Sequence, residues 1–295
     1  MSKIYEIHGR KIWDFAGNPA LEVEAVLESG MVGTAQVALP CCTGAVRAAD
    51  ERLQQKVTQI EESVSPELSG LDAIDQIEID RTLEEMFPGR EECNPVLWCV
   101  SLACAKAAAE FEELPLFRYS GGVHARTLPV PVIPVSPEIA LSPAGAENFS
   151  DALLMVSSVA DALKNVPAAE NPVLSAIAQA GFQAGKDLFL TPLDGTLENS
   201  FPENVRDSVC QNAEILCPGG ESVTALFDKA EKIRASGRFI LLAEKTGALA
   251  DAALADLAVA LHAARIRADG SGGIVCFNRL LQMEEMLGGQ RRYGA

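Results

Sequence analysis

The side chains best suited to chemistry are scattered along the chain. Eight cysteines could form a metal site or a redox pair. Cys41 and Cys42 are adjacent, Cys93, Cys99 and Cys104 follow at spacings of six and five, and no CxxC occurs. Zinc-type ligand spacing is therefore absent, and the cysteines read as free thiols packed as small hydrophobes. The adjacent pair has a redox reading, but no neighbouring cation would lower a thiol pKa there. The three histidines, His8, His124 and His262, form no local cluster. Two other spots place polar groups at strand ends. Asp194 lies just past the apolar run DLFLTPL, and Lys245 and Thr246 put a cation and a hydroxyl just past FILLA.

The elements that must position these groups follow from periodicity. Residues 4–39 alternate, with Gly17-Asn18-Pro19 and Ser29-Gly30 as turns, which predicts a three-stranded antiparallel meander. Helical spacing follows over 46–64, 71–86 and 95–113, with Pro95 at a favoured first-turn position. Near residue 119 the composition changes to Gly and then to Pro129, Pro131, Pro134 and Pro137, which reads as a linker into a proline-interrupted strand. Beyond it, helices are expected over 149–166, 173–184, 222–236, 251–266 and 278–287, and strands over 187–193 and 239–243. Strand and helix in alternation argue for a parallel α/β arrangement. His262 falls inside the alanine-rich helix and reads as a packing residue.

Twenty-four Lys and Arg against 41 Asp and Glu give a net charge of −17. That balance disfavours a nucleic-acid binder, which needs a basic patch, and a polybasic membrane anchor. Hydrophobic residues make up 48% of the 295, enough for a large core. No apolar run reaches the ~18 residues of a membrane helix, and the first residues do not read as a signal peptide. The expectation is a cytoplasmic protein.

Several stretches carry a family resemblance. They are Gly9-Arg10-Lys11-Ile12-Trp13-Asp14 with Gly17-Asn18-Pro19, Ile74-Asp75-Gln76-Ile77, Val100 to Ala109, Leu114-Pro115-Leu116-Phe117, Pro129-Val130-Pro131-Val132, Ala255 to Ala260, and Asn278 to Gly288. In this order the chain resembles enolase, phosphopyruvate hydratase. The resemblance implies an N-terminal α+β domain over 1–125, a meander plus helices. A shortened α/β domain, a truncated and incomplete TIM-like barrel, is implied over 126–295. About 165 residues follow the linker, whereas a complete eight-stranded barrel takes about 250.

The resemblance also assigns roles. Enolase chemistry uses a lysine base, Mg²⁺ on the developing ene-diolate and a glutamate that assists departure of hydroxide. Glu138 matches an acid/base glutamate of the family, although it reads equally as a surface or strand-edge glutamate. Asp194 matches the first metal aspartate, although Asp194-Gly195 is also an ordinary turn pair. The other two metal carboxylates have no counterpart. In the segment Ile215 to Gly220, a leucine stands for the base lysine. Lys245 and Thr246 replace an arginine and a serine of the anion-binding segment, and lysine lacks the arginine fork. Arg267 replaces the last catalytic lysine, keeping charge without serving as a base. In the loop 39–44 a leucine replaces the metal-reaching serine.

Two functional readings follow. In the first, the chain is an enolase-like pseudoenzyme related to a glycolytic family, without dehydratase activity, needing no cofactor and serving a binding, regulatory or assembly role. In the second, it is an active Mg²⁺-dependent lyase on a small phosphorylated or carboxylated substrate, using Asp194, Lys245, Thr246 and Arg267. The resemblance implies a homodimer through the N-terminal domain, or pairing with a true enolase, and no nucleic-acid or membrane partner.

Overall fold

The computed structural model describes residues 1–38, 46–88, 94–166, 171–193, 202–244, 249–268 and 270–294. The expected meander forms from strands Ile4–Trp13, Pro19–Leu27 and Val32–Ala38, paired antiparallel in chain order. Its first turn is built by Asp14. One carboxylate oxygen accepts the amide hydrogens of Ala16 at 2.9 Å and Asn18 at 2.7 Å, while Gly17 takes φ +79°. Alternation puts Leu21, Val23, Ala25 and Leu27 on one face, and all four are buried.

That face packs on the helix Pro95–Phe111. Asn94 caps the helix, its side-chain oxygen accepting from the amides of Val96 and Leu97, and Pro95 fills the first turn, as the sequence predicts. Buried residues lie on almost every side of the helix, as expected of one apolar all round. It comes unusually close to the sheet. A Cβ on Gly33 would lie 2.0 Å from the Ala103 carbonyl oxygen and 2.3 Å from the Ala107 nitrogen. Gly33, Ala103 and Ala107 together allow backbone to meet backbone.

The expected helix over 71–86 begins only at Gln76. Residues 71–75 serve the first strand instead: the Ile4 amide donates to Leu71 O and Lys3 bridges to Asp72. Asp75 then caps the helix through the Glu78 amide.

The second part holds a four-stranded parallel sheet in the order Val130–Pro131, Arg265–Arg267, Phe239–Ala243, Ala213–Leu216. The earliest strand of this sheet therefore pairs with its latest, and the others follow in reverse chain order. A separate antiparallel sheet contains Ile133–Pro134, Ile139–Ser142 and Phe189–Pro192. The strand expected over 187–193 thus belongs to an antiparallel sheet and not to the parallel one. The helix expected over 251–266 spans only Ala253–Ala260. It ends where His262 takes φ +54° and the Ala263 amide donates to Ala258 O, which turns the chain into the strand Arg265–Arg267. The helix expected over 173–184 is Pro172–Gln179, and Gly181 turns the chain out at φ +85°. The last helix runs Gly270–Leu287, longer than 278–287. The helix Val223–Ala235 has the expected Ser222 cap, accepting from the Ala225 amide at 3.2 Å.

One core crosses both parts, from Leu21 and Leu102 through Leu226, Ile240 and Leu242 to Leu257, Ile266 and Leu280. Polar joints reinforce this seam. Asp80 is buried and accepts from Ser101 Oγ at 2.6 Å, Gln76 Nε2 at 2.9 Å and the Thr224 amide at 2.9 Å. Ser101 Oγ accepts the Val223 amide at 2.9 Å. Two side chains of the first part therefore serve the exposed N–H groups that begin a helix of the second.

Candidate functional site

In a parallel α/β sheet, ligands are met at the carboxyl ends of the strands, so the inner face and that edge are the natural place to look. The register sets two rows there. Ile215, Leu241, Arg265 and Val130 are neighbours in one row; Ala243 and Arg267 are paired in the next, nearer the carboxyl edge. Leu242 and Ile266, one residue out of phase, enter the main core on the other face.

The inner face is covered in its middle, while Ile215 at one end of the row is exposed. Leu241 and Ala243 are buried with Val132 and Ala140, the latter from the antiparallel sheet, and Leu193, Cys210 and Cys217 pack around them. Burial raises the Cys210 thiol to about 12, with Asp207 adding to the rise. At neutral pH it is protonated and a poor nucleophile. No disulfide involves Cys99, Cys104, Cys210, Cys217 or Cys276, and Cys99, Cys104 and Cys276 are buried. Among the described residues, packed free thiols are what the structure contains.

Beneath the cover lies an ion pair absent from the sequence reading. Arg265 donates from Nε to Asp207 Oδ2 at 2.7 Å and from Nη2 to Oδ1 at 3.0 Å. Both side chains are nearly inaccessible, at 4% and 2%. The amides of Val209 and Cys210 donate to the same carboxylate. Burial pushes the Asp207 pKa up, but the Arg265 hydrogen bonds and charge outweigh it and hold the group below the usual carboxylate range. Asp207 therefore favours the folded state above its ordinary unfolded pKa, and that contribution fades as pH falls through the lower folded value.

The sequence-derived candidates separate. Arg267 is half-buried on the inner face beside Ala243, and its carbonyl accepts the Glu244 amide at 3.0 Å. Glu138 is exposed, in the bend just before the antiparallel strand Ile139–Ser142, its carbonyl accepting from the Leu193 amide. No hydrogen bond or ion pair joins the two. Asp194, Lys245, Thr246, Cys41 and Cys42 lie outside the described residues. Leu216 is buried in the main core, facing away from the inner face, while Ile215 takes the other side and is 53% exposed.

A Mg²⁺ ion needs oxygen ligands that converge without a competing cation. The described residues do not fit that need: no three His, Cys, Asp or Glu side chains group closely enough to hold a metal. The buried carboxylates are already turned to cations or amides. Asp251 accepts from Lys106 Nζ at 2.7 Å and from the amides of Gln36 and Ala253. Asp256 takes a bidentate pair from Arg279 and the Phe117 amide. These two carboxylates line a cleft of about 420 Å³ between the start of the strand Val32–Ala38 and the helix Ala253–Ala260, and they close the seam. Sequence reasoning missed Asp207, Arg265, Lys106, Asp251, Asp256 and Arg279 because each pairs across a long stretch of chain. Only the alternation of Arg265-Ile266-Arg267 offered a local hint of a strand.

A capping α+β domain laid against a parallel α/β sheet defines the class. Within it, residues 4–120 match the family model described as Enolase, N-terminal domain. No helix among the described residues is long and apolar enough to cross a membrane.

Proposed function

We propose that the chain is a shortened enolase relative that does not dehydrate 2-phosphoglycerate and works through binding, regulation or assembly. The observation that carries this reading is the covered inner face, where Leu241 and Ala243 are buried against Val132 and Ala140. The pairing of the parallel sheet's earliest strand with its latest fits a barrel that has lost strands between them. On this reading Asp194, Glu138 and Arg267 are remnants of metal and catalytic positions, and Lys245 with Thr246 is a weakened anion site. The test is turnover of 2-phosphoglycerate to phosphoenolpyruvate by the purified chain, with and without excess Mg²⁺. No turnover above background is expected. Metal-dependent turnover at ordinary enzyme rates, about 1–10³ per second, would overturn the proposal in favour of an active lyase using Asp194, Lys245, Thr246 and Arg267.

A homodimer through the N-terminal domain is part of the same proposal. The first strand and its hairpin expose three aromatic rings, Tyr5 at 61%, Trp13 at 61% and Phe15 at 60%. A hollow of about 240 Å³ lined by Ile12, Leu249 and Gln36 adjoins the last two. Buried aromatic anchors carry much of an interface's energy. Sedimentation at micromolar concentration is expected to give a dimer, converted to monomer by Trp13→Ser with Phe15→Ser. A monomeric wild type would dismiss the idea, and a dimer unaffected by the double variant would move the interface elsewhere.

A further inference from the structure

We infer that the described residues of 133–166, 171–193 and 202–207 form a cover that opens from the parallel sheet as a unit, with the Asp207–Arg265 pair as its lock. The first observation is a separate core. Ile139, Leu141, Val156, Val159, Ile177 and Leu190 belong to a cluster of their own, distinct from the main core. Elements that share few apolar contacts with the rest of a protein open at lower cost than the whole.

The second observation is how the cover is fastened. Against the sheet it has a small apolar patch, with Ala140 set on Leu241 and Ala243. The lock lies beside it. Asp207 ends the cover, its amide donating to Leu190 O at 3.0 Å while its carboxylate caps the following helix Ser208–Gln211, whereas Arg265 is a strand residue of the parallel sheet. Ser142 on the cover also bonds to the Asp207 carboxylate. The remaining ties gather elsewhere on the cover. Glu284 accepts the amides of Phe149 at 2.8 Å and Ser150 at 3.2 Å, Phe149 sits in the main core against Phe277, and Tyr293 donates its hydroxyl to Pro143 O. These tether the start of the helix Phe149–Leu163. Strands Ile139–Ser142 and Phe189–Pro192 are held by the patch, the lock and a hydrogen bond between Thr191 and Cys210, with the Tyr293 tie at Pro143 just beyond the first of them. When they lift, Arg265 and Arg267 stand exposed on one face, because alternate residues of a strand share a side.

Cys217 reports this opening, since it packs around the patch, whereas Cys99 and Cys104 lie in the main core. Cys210 is no reporter, because Asp207 itself contacts its thiol and raises its pKa. The full chain is treated with a thiol reagent and each cysteine is read by mass spectrometry. Asp207→Ala leaves Arg265 buried and unpaired, which is strongly destabilising locally. It is expected to speed labelling of Cys217 by about tenfold or more, with Cys99 and Cys104 unchanged. Adding Arg265→Met removes the stranded charge and is expected to slow labelling again. Unchanged Cys217 labelling in Asp207→Ala, persistent fast labelling in the double variant, or Cys217, Cys99 and Cys104 reacting in step would overturn the lock. Should Asp207→Ala fail to fold, hydrogen exchange of the wild type in sub-denaturing urea decides. Amides in Ile139–Ser142 and Phe189–Pro192 are expected to exchange through an opening smaller than that of Pro95–Phe111. A single shared opening would overturn the inference.

Discussion

Gly33→Ala is expected to be the most damaging single-methyl change in the first domain. The added carbon would sit 2.0 Å from a helix carbonyl oxygen and 2.3 Å from a helix nitrogen. Neither neighbour is a flexible side-chain end, so strand and helix must move apart along a contact that includes Val23, Ala35, Ala103 and Ala107. Overpacking of a tight core typically costs about 1–3 kcal/mol and occasionally more. Contact with backbone on both sides puts this change at the upper end, about 3 kcal/mol. The midpoint of thermal unfolding should fall by roughly 5 °C for a chain of this size. Gly30→Ala provides the comparison. Gly30 has φ +85° and nothing within 4 Å of the position a Cβ would take, so it should lose only the left-handed preference, about 1–2 kcal/mol. Equal effects from the two substitutions, read by calorimetry, would refute the close-packing argument.

Asp80→Ala should be comparably severe through a different cause. Asp80 is 2% exposed and serves Ser101, Gln76 and the first turn of the helix Val223–Ala235 at once. Its removal leaves the Ser101 hydroxyl and the Thr224 amide short of an acceptor, while Gln76 Nε2 keeps the Ser101 carbonyl at 3.1 Å. Each unsatisfied buried group costs about 1–3 kcal/mol, and groups sharing one partner do not add fully. A loss of about 3–5 kcal/mol in urea-measured stability is expected. Ser101→Ala should lose less, because Asp80 keeps the Thr224 amide. A loss below about 1 kcal/mol for Asp80→Ala would mean that the seam is held by apolar packing alone.

Much of the first domain was legible in its sequence for local reasons. Period-two alternation over 4–39, the Gly17 and Gly30 turns, and Pro95 at a helix start are signals written within a few residues of where they act. In the second part the same logic recovered Ser222 as a cap and Phe239–Ala243 as a strand. It failed at Arg265–Arg267, where alanine-rich sequence continued a helical pattern and nothing marked His262 as the residue that would turn left-handed. It failed again at 187–193, because an apolar run does not disclose whether its partner runs parallel or antiparallel. Of the candidate site, Arg267 reached the inner face, while Glu138 went to an exposed bend before a strand of another sheet. The Asp207–Arg265 pair was illegible, since neither residue carries a local mark of the other.

The pairing of Val130 with Arg265 also orders events in time. A ribosome delivers the chain from its N-terminus, so the meander and the helix Pro95–Phe111 can pack as soon as they emerge. The strand Val130–Pro131 must then wait, with one edge bare, until nearly all of the remaining chain has been made. Closing so long a loop is slow, and the waiting edge is open to strands of other molecules. The cover sequence, made in that interval, can collapse on its own core first. Translation that stalls before residue 265 should therefore yield a sound first domain joined to an incomplete, aggregation-prone sheet.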